Sequence, residues 1–150
     1  MESWKDWAET ILNDLPAFMD ENFNDWQYVA AEDMLYEPIP DDELKFKGFI
    51  DGIIGDVTKT GKKRLWVIDW KTAGRSGWQR KKKEDFLIQA QLAAYKIFWG
   101  RREEIDLKNI QCAFILLKRE ARPGKAISMV RTSVGPKMIE KTEKLISSMT

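Results

Sequence analysis

The chain contains no histidine and a single cysteine, Cys112, among its 150 residues. These two shortages remove a good deal of chemistry. Ser-His-Asp and Cys-His catalysis are excluded, and so are histidine-built zinc sites. One thiol permits no internal disulfide and no cysteine-built zinc or iron–sulfur centre. Any hydrolytic chemistry must therefore rest on carboxylates, Lys, Tyr, backbone groups and oxygen-loving metal ions. Long apolar runs are missing too, since none approaches the ~18–20 residues of a membrane span. The opening MESWKDWAETILNDL is acidic and amphipathic, unlike a secretory leader, so a cytoplasmic setting is expected. Positive charge is scarce up to residue 43, where Lys5 stands alone against a dozen or so acids.

What is present suits one soluble domain spanning residues 1–150. Hydrophobic residues make up 43% and charged residues 33%, and seven Trp and seven Phe can dominate a core. The net charge of +1 hides an uneven distribution. Basic residues gather at Arg80-Lys81-Lys82-Lys83, Arg101-Arg102 and Lys118-Arg119. A nearly neutral protein with one basic face can bind a polyanion.

Helical spacing of Trp4, Trp7, Ile11, Leu12 and Leu15 predicts a first helix. Ser3 is placed to cap it with Asp6 in a capping-box-like pair, and Pro16 to help end it. The stretch from Trp26 to Ile39 predicts a strand closed by Pro38 and Pro40, and Leu44 to Ile54 a second. Thr58 to Gly61 has hairpin-turn composition, and Arg64 to Lys71 reads as a strand covered on both faces. Residues 72–83 read as a Gly-rich, basic loop, followed by a helix from Glu84 to Trp99 with Ile88, Leu92, Tyr95 and Trp99 on one stripe. Ile110 to Leu117 predicts a buried strand, Ala126 to Val134 an edge strand, and the segment from Pro136 a terminal helix. The order α-β-β-β-α-β-β-α predicts an α/β fold, a mixed central sheet flanked by helices.

Two acids interrupt apolar runs, Asp51 in FIDGII and Asp69 in LWVIDW. Burying an ionised carboxylate is costly unless it is paired or binds a metal. On adjacent hairpin strands the two approach each other and repel unless a cation lies between them. Lys71, two residues beyond Asp69, shares its strand face. A buried Asp–Lys ion pair explains either acid alone, whereas a metal site explains the three together. Upstream, Glu32 or Glu37 supplies a third carboxylate, and the spacing leaves both open. Gly48 allows close approach of backbone or ligand. Gln91 and Tyr95, four apart, share the inward stripe of their helix, where they either satisfy core groups or reach the edge of a site.

In order, GFIDGII, VIDWKT and QLAAY resemble the motifs of the PD-(D/E)XK nuclease superfamily, with a restriction-endonuclease-like core. The pattern of an upstream Glu, G-x-x-D, D-x-K and Q-x-x-x-Y, here from Glu32 to Tyr95, is similar to RecB-type exonucleases. The resemblance implies that Asp51, Asp69 and the Trp70 backbone carbonyl bind Mg²⁺ or Mn²⁺, with Glu32 completing the site or polarising water. It implies that Lys71 orients the attacking water or stabilises the phosphate, and that Gln91 and Tyr95 contact the nucleic acid or support the site. Arg75, Arg80, Lys81, Lys82 and Lys83 would follow the phosphate backbone, with Trp78 stacking on an unpaired base. A charge run that is merely a solvated face is the alternative.

Two departures stand out. Some relatives carry an iron–sulfur cluster held by four cysteines, which Cys112 alone cannot hold, and many are domains of helicase–nucleases. The chain is thus expected to be a free-standing member of the phage-encoded kind, acting on DNA in a bacterial cell beside replication or recombination proteins. Two competing readings remain: a structure-specific endonuclease on the same fold, and an inactive nucleic-acid-binding module.

Overall fold

The computed structural model describes residues 4–39, 43 and 45–148. Five strands form one sheet in the order β1-β2-β3-β4-β5. They are β1 (Gln27–Pro38), β2 (Lys45–Val57), β3 (Lys63–Ala73), β4 (Ile110–Lys118) and β5 (Ile127–Thr132). Neighbours pair antiparallel except β3 and β4, which are parallel. A parallel pair needs a crossover, which here carries α2 (Arg80–Lys83) and α3 (Phe86–Arg102). Helices α1 (Trp4–Asn22) and α4 (Pro136–Ser148) complete the chain. The fold is the mixed α/β sheet with flanking helices that the apolar pattern predicts.

Two cores lie on the two faces of the sheet. On one, α3 covers Leu35, Ile50, Ile53, Val67 and Phe114. On the other, Phe18, Met19 and Phe23 from α1 and the turn after it cover Ile54, Trp66, Ile68 and Ile115. Strand β3 is sandwiched between them, so Trp66, Val67 and Ile68 are buried and no polar face alternates with them. The hairpin at Thr58 to Gly61 closes with Gly61 N–H donating to Thr58 O at 2.9 Å, and Gly61 has φ +88°.

Local expectations fail where distant packing outweighs them. Helix α1 does not stop at Pro16 but continues to Asn22. A proline forgoes one helical hydrogen bond, and burial of Phe18 and Met19, two and three residues later, offsets that loss. Trp4 and Leu12, two of the helically spaced apolar residues that predict this helix, are exposed, and the buried face is carried further along by Phe18 and Met19. Part of the expected loop at 72–83 is instead the end of β3 and the turn α2. Helix α3 starts at Phe86, not Glu84, because Asp85 caps it, accepting from Leu87 and Ile88 N–H at 2.9 and 3.2 Å. The Ser3 cap, Pro40 and Leu44 lie outside the described residues. Among the described residues no helix is long and apolar enough to cross a membrane.

Candidate active site

The ladder between β2 and β3 runs from Val57–Lys63 to Gly52–Ile68 and ends there. One step further the opposing residues are Asp51 and Asp69, and beyond this level β2 pairs only with β1. The same level is distorted in both strands of the β1–β2 ribbon. Ile50 and Ile53 both reach the α3-side core, an odd spacing, so the alternation of β2 slips at Asp51–Gly52. Glu32 falls between Ala31 (opposite Gly52) and Asp33 (opposite Ile50) and has φ +50°, which few non-glycine residues adopt. The sheet therefore splays where its acids are.

Asp51 takes over where the ladder stops. Its Oδ2 accepts the Trp70 N–H at 2.9 Å. The N–H and C=O of one strand residue point toward the same neighbouring strand, so the Trp70 carbonyl is also directed to the Asp51 side. Asp69 is only 6% exposed, and its Oδ2 accepts no hydrogen bond among the described residues. Lys71 Nζ stands 3.2 Å from that oxygen, within ion-pair range but without a well-directed hydrogen bond. Burial, and then the Asp51 carboxyl beside it, push the Asp69 carboxyl up to about 7, against the pull of the Lys71 ammonium.

Asp56 shows that this strain is not general to buried acids in the sheet. It is equally buried, yet Arg64 holds it with two guanidinium N–H groups at 3.0 and 2.6 Å, and Trp66 Nε1 donates at 2.9 Å. Asp56 is a satisfied structural carboxylate, whereas Asp69 keeps an orphaned oxygen beside a second carboxylate. Two carboxylates and a directed carbonyl are hard oxygen donors, so this set fits a Mg²⁺- or Mn²⁺-type ion. Among the described residues no three His, Cys, Asp or Glu groups cluster closely enough to hold an ion together. The donors in reach are the Asp51–Asp69 pair.

The two upstream acids are placed differently. Glu37 lies 3.8 Å from Arg102 Nε, and Asp33 occupies the same guanidinium while also accepting from Trp99 Nε1 at 3.1 Å. Glu32 instead lines a concavity of about 490 Å³ with Asp51, Tyr28, Ala31 and Trp70. On α3, Gln91 Nε2 donates to the Tyr95 hydroxyl at 3.2 Å. Burial raises the Tyr95 pKa, and the Asp69 and Asp51 charges add to the shift, so the ring stands near the acids. Gly48 makes room for that ring: a Cβ there would lie 2.8 Å from Tyr95 Cε1.

The basic segment is on the surface, partly committed to its own contacts. Arg80 Nε pairs with Glu84 Oε1 at 2.9 Å, and Arg75 Nε donates to Glu120 O at 3.1 Å. Lys81, Lys82 and Lys83 are exposed. Trp78 corrects the expectation of a free stacking plate. It is 8% exposed, its ring centroid is 5.0 Å from that of Phe114, and Lys82 Nζ covers it at 4.9 Å. Its ring walls a groove of about 530 Å³ that begins beside Lys71, at Thr72 and Ala73, and also includes Lys81, Lys82 and Arg119. Neither Arg119 nor Tyr28 was singled out by the motifs. Lys118-Arg119 was visible only as a basic dipeptide, and Tyr28 only as one aromatic in a strand.

The sequence profile of the PD-(D/E)XK nuclease superfamily matches residues 1–149. No curated protein matches the chain. Among solved structures, that of SSO0001 aligns with a TM-score of 0.45 and 15% identity, over 95% of this chain and 59% of that one. The chain thus spans less than two thirds of that longer protein's length.

Proposed function

The chain belongs to the PD-(D/E)XK nuclease superfamily, and from that premise we propose that it is a Mg²⁺- or Mn²⁺-dependent DNA nuclease, working as an exonuclease on single-stranded ends. The observation that carries the reading is the buried, unsatisfied Asp69 oxygen beside Asp51 and Lys71 at the splayed end of the β2–β3 ladder. Asp51, Asp69 and the Trp70 carbonyl would hold the ion, and Glu32, which lines the same concavity as Asp51, would complete the site or polarise water. Such an ion lowers the pKa of bound water and offsets charge on the scissile phosphate.

The chain's own groups supply the rest. The Lys71 ammonium, 3.2 Å from Asp69, has donors left to orient the attacking water or to meet a phosphate oxygen. Gln91 and Tyr95 hold each other and would contact the substrate strand or support the site. Lys81, Lys82 and Arg119, along the groove that starts beside Lys71, and the exposed Lys83 next to them suit a phosphate backbone. The order G-x-x-D, D-x-K and Q-x-x-x-Y favours the RecB-type mode, in which a strand is taken from its free end. The intact acids and lysine argue against an inactive binding module.

End-labelled linear DNA and closed single-stranded circles, each incubated with Mg²⁺, test the proposal. The expected result is mononucleotides or short oligomers from linear strands and intact circles. Rapid nicking of circles would replace the exonuclease with an endonuclease, and no cleavage of any DNA would overturn the nuclease reading.

A further inference from the structure

We propose that the outer face of the β1–β2 ribbon is a stacking platform for the unpaired bases of a nucleic-acid strand, resting on the nuclease reading above. Beyond Gly52, strand β2 pairs only with β1, so residues 33–38 and 45–50 form a two-stranded ribbon. Its inner face is closed by α3, where Phe46 stacks on Phe98 at 4.4 Å and Leu35 and Ile50 are fully buried. Its outer face carries Met34 opposite Phe49, and Tyr36 opposite Lys47. Alternation puts Met34, Tyr36 and Phe49 together on this side. They are 51%, 57% and 55% exposed.

This exposure is concentrated. Of the eight large hydrophobics exposed among the described residues, Met34, Tyr36 and Phe49 lie together on this one face, and Tyr28, further along β1, lines the concavity that adjoins it. Contiguous apolar surface of this kind marks an interaction site, and the charges identify the occupant. Lys45 Nζ lies 4.8 Å over the Tyr36 ring. Neither Lys45 nor Lys47 pairs with a carboxylate among the described residues. The ribbon's own acids, Asp33 and Glu37, are turned inward onto Arg102. Exposed rings interleaved with free cations suit a polyanion whose bases can be splayed out and stacked.

Position supports the same occupant. Phe49 is two residues from Asp51, and Met34 two from Glu32, so the platform continues from the concavity that these acids line. The Met34–Phe49 and Tyr36–Lys47 pairs are about 7 Å apart along the strands, enough for one or two splayed nucleotides. A duplex keeps its bases stacked and cannot use the rings, so the platform selects unpaired strands.

The test compares wild type with Tyr36→Ala/Phe49→Ala in chelator. Fluorescence anisotropy would follow an oligothymidylate and a duplex of equal length, with sedimentation for oligomeric state. The double variant should bind the single strand about 10- to 100-fold more weakly, with duplex affinity and thermal stability nearly unchanged. Phe49→Trp should retain wild-type affinity, and in Mg²⁺ the double variant should show a raised KM with kcat preserved. Unchanged single-strand affinity, or an equal loss on both substrates, overturns the platform. So does a wild-type dimer that the double variant dissociates, which would make the face an interface between copies. Should the double variant not fold, photocrosslinking of wild type to an oligonucleotide bearing 5-iodouracil decides: adducts at Tyr36 or Phe49 support the platform, and adducts only elsewhere overturn it. Wild type that cleaves DNA while the variant binds normally removes the platform alone, whereas wild type that cleaves nothing removes the nuclease reading beneath it.

Discussion

Asp69→Asn should stabilise the metal-free protein at neutral pH and abolish its activity. The Asp69 carboxyl is raised to about 7 from 3.8, by burial first and the neighbouring Asp51 carboxyl second. A shift of about three units corresponds to roughly 4 kcal/mol of penalty on the ionised form. Asparagine removes that penalty but also the attraction of Lys71, whose side chain is 37% exposed and readily solvated. The net gain should be about 2 kcal/mol at pH 8, or about 4–8 °C in Tm for a domain of this size. Because the folded pKa is raised, the neutral acid's contribution is present below pH 3.8, declines as pH climbs to about 7, and stays lost above it. The advantage of the variant should therefore vanish near pH 4 and reach a plateau above pH 7. Adding Mg²⁺ should then recover wild type selectively, by about 2.7 kcal/mol at a hundredfold excess over Kd. Thermal melts in chelator from pH 4 to 8, repeated with Mg²⁺, provide the measurement. A stability difference that is constant across pH, or an Asn variant less stable at pH 8, would refute the reasoning.

Asp51→Ala and Lys71→Ala should each abolish cleavage in gel assays while circular dichroism stays that of the folded protein, and a near-normal rate in either would remove that residue from the site. Wild-type activity should need Mg²⁺ or Mn²⁺, disappear in EDTA and not return with Ca²⁺, whose looser geometry activates water poorly. Replacing Arg80 to Lys83 with Ala should flatten the salt dependence of DNA binding, by about 0.7–0.9 in the log–log slope for each phosphate no longer neutralised. Gly48→Ala should lower stability by about 1–3 kcal/mol, since the added methyl meets Tyr95 Cε1 at 2.8 Å, and calorimetry would read the effect as a drop in Tm.

Much of the architecture was legible because local pattern and burial agree. RLWVIDWK reads as a doubly covered strand, and Trp66, Val67 and Ile68 are indeed buried against helices on both faces. The proximity of Asp51, Asp69 and Lys71 was legible because a hairpin with a known turn fixes which residues oppose. What failed depends on partners far along the chain. Trp78, in a Gly-rich and basic segment, has every local mark of an exposed side chain, and only Phe114 on β4 makes it a core residue. Pro16 reads as a stop until Phe18 and Met19 meet Ile54 and Trp66. Glu32 and Glu37 were equivalent by spacing and were separated by Arg102, 65 residues beyond Glu37. The Tyr36–Phe49 face is not legible in the sequence, because alternation shows that one side of a strand is buried without showing which side lacks a cover.

The contrast between Asp56 and Asp69 explains why the second is the better marker of function. Both interrupt apolar strands, and both end up buried, Asp56 on β2 and Asp69 on β3. Asp56 faces Arg64 across a complete ladder pair, so a planar fork answers both of its oxygens and Trp66 adds a third bond. Such an acid contributes structure, with both oxygens engaged by donors of the protein itself. Asp69 lies one step past the end of that ladder, where the strands separate and a second carboxylate, Asp51, adjoins it beside the Lys71 ammonium. Lys71 offsets the charge only in part, which is why the carboxyl stays raised. A fold selected for stability alone would answer this acid with an arginine, as it does thirteen residues earlier, or replace it with an apolar side chain. Leaving two acids face to face at a gap in the hydrogen-bond ladder makes sense when a cation from solution is to occupy the gap, with the lysine kept for what the cation brings to it.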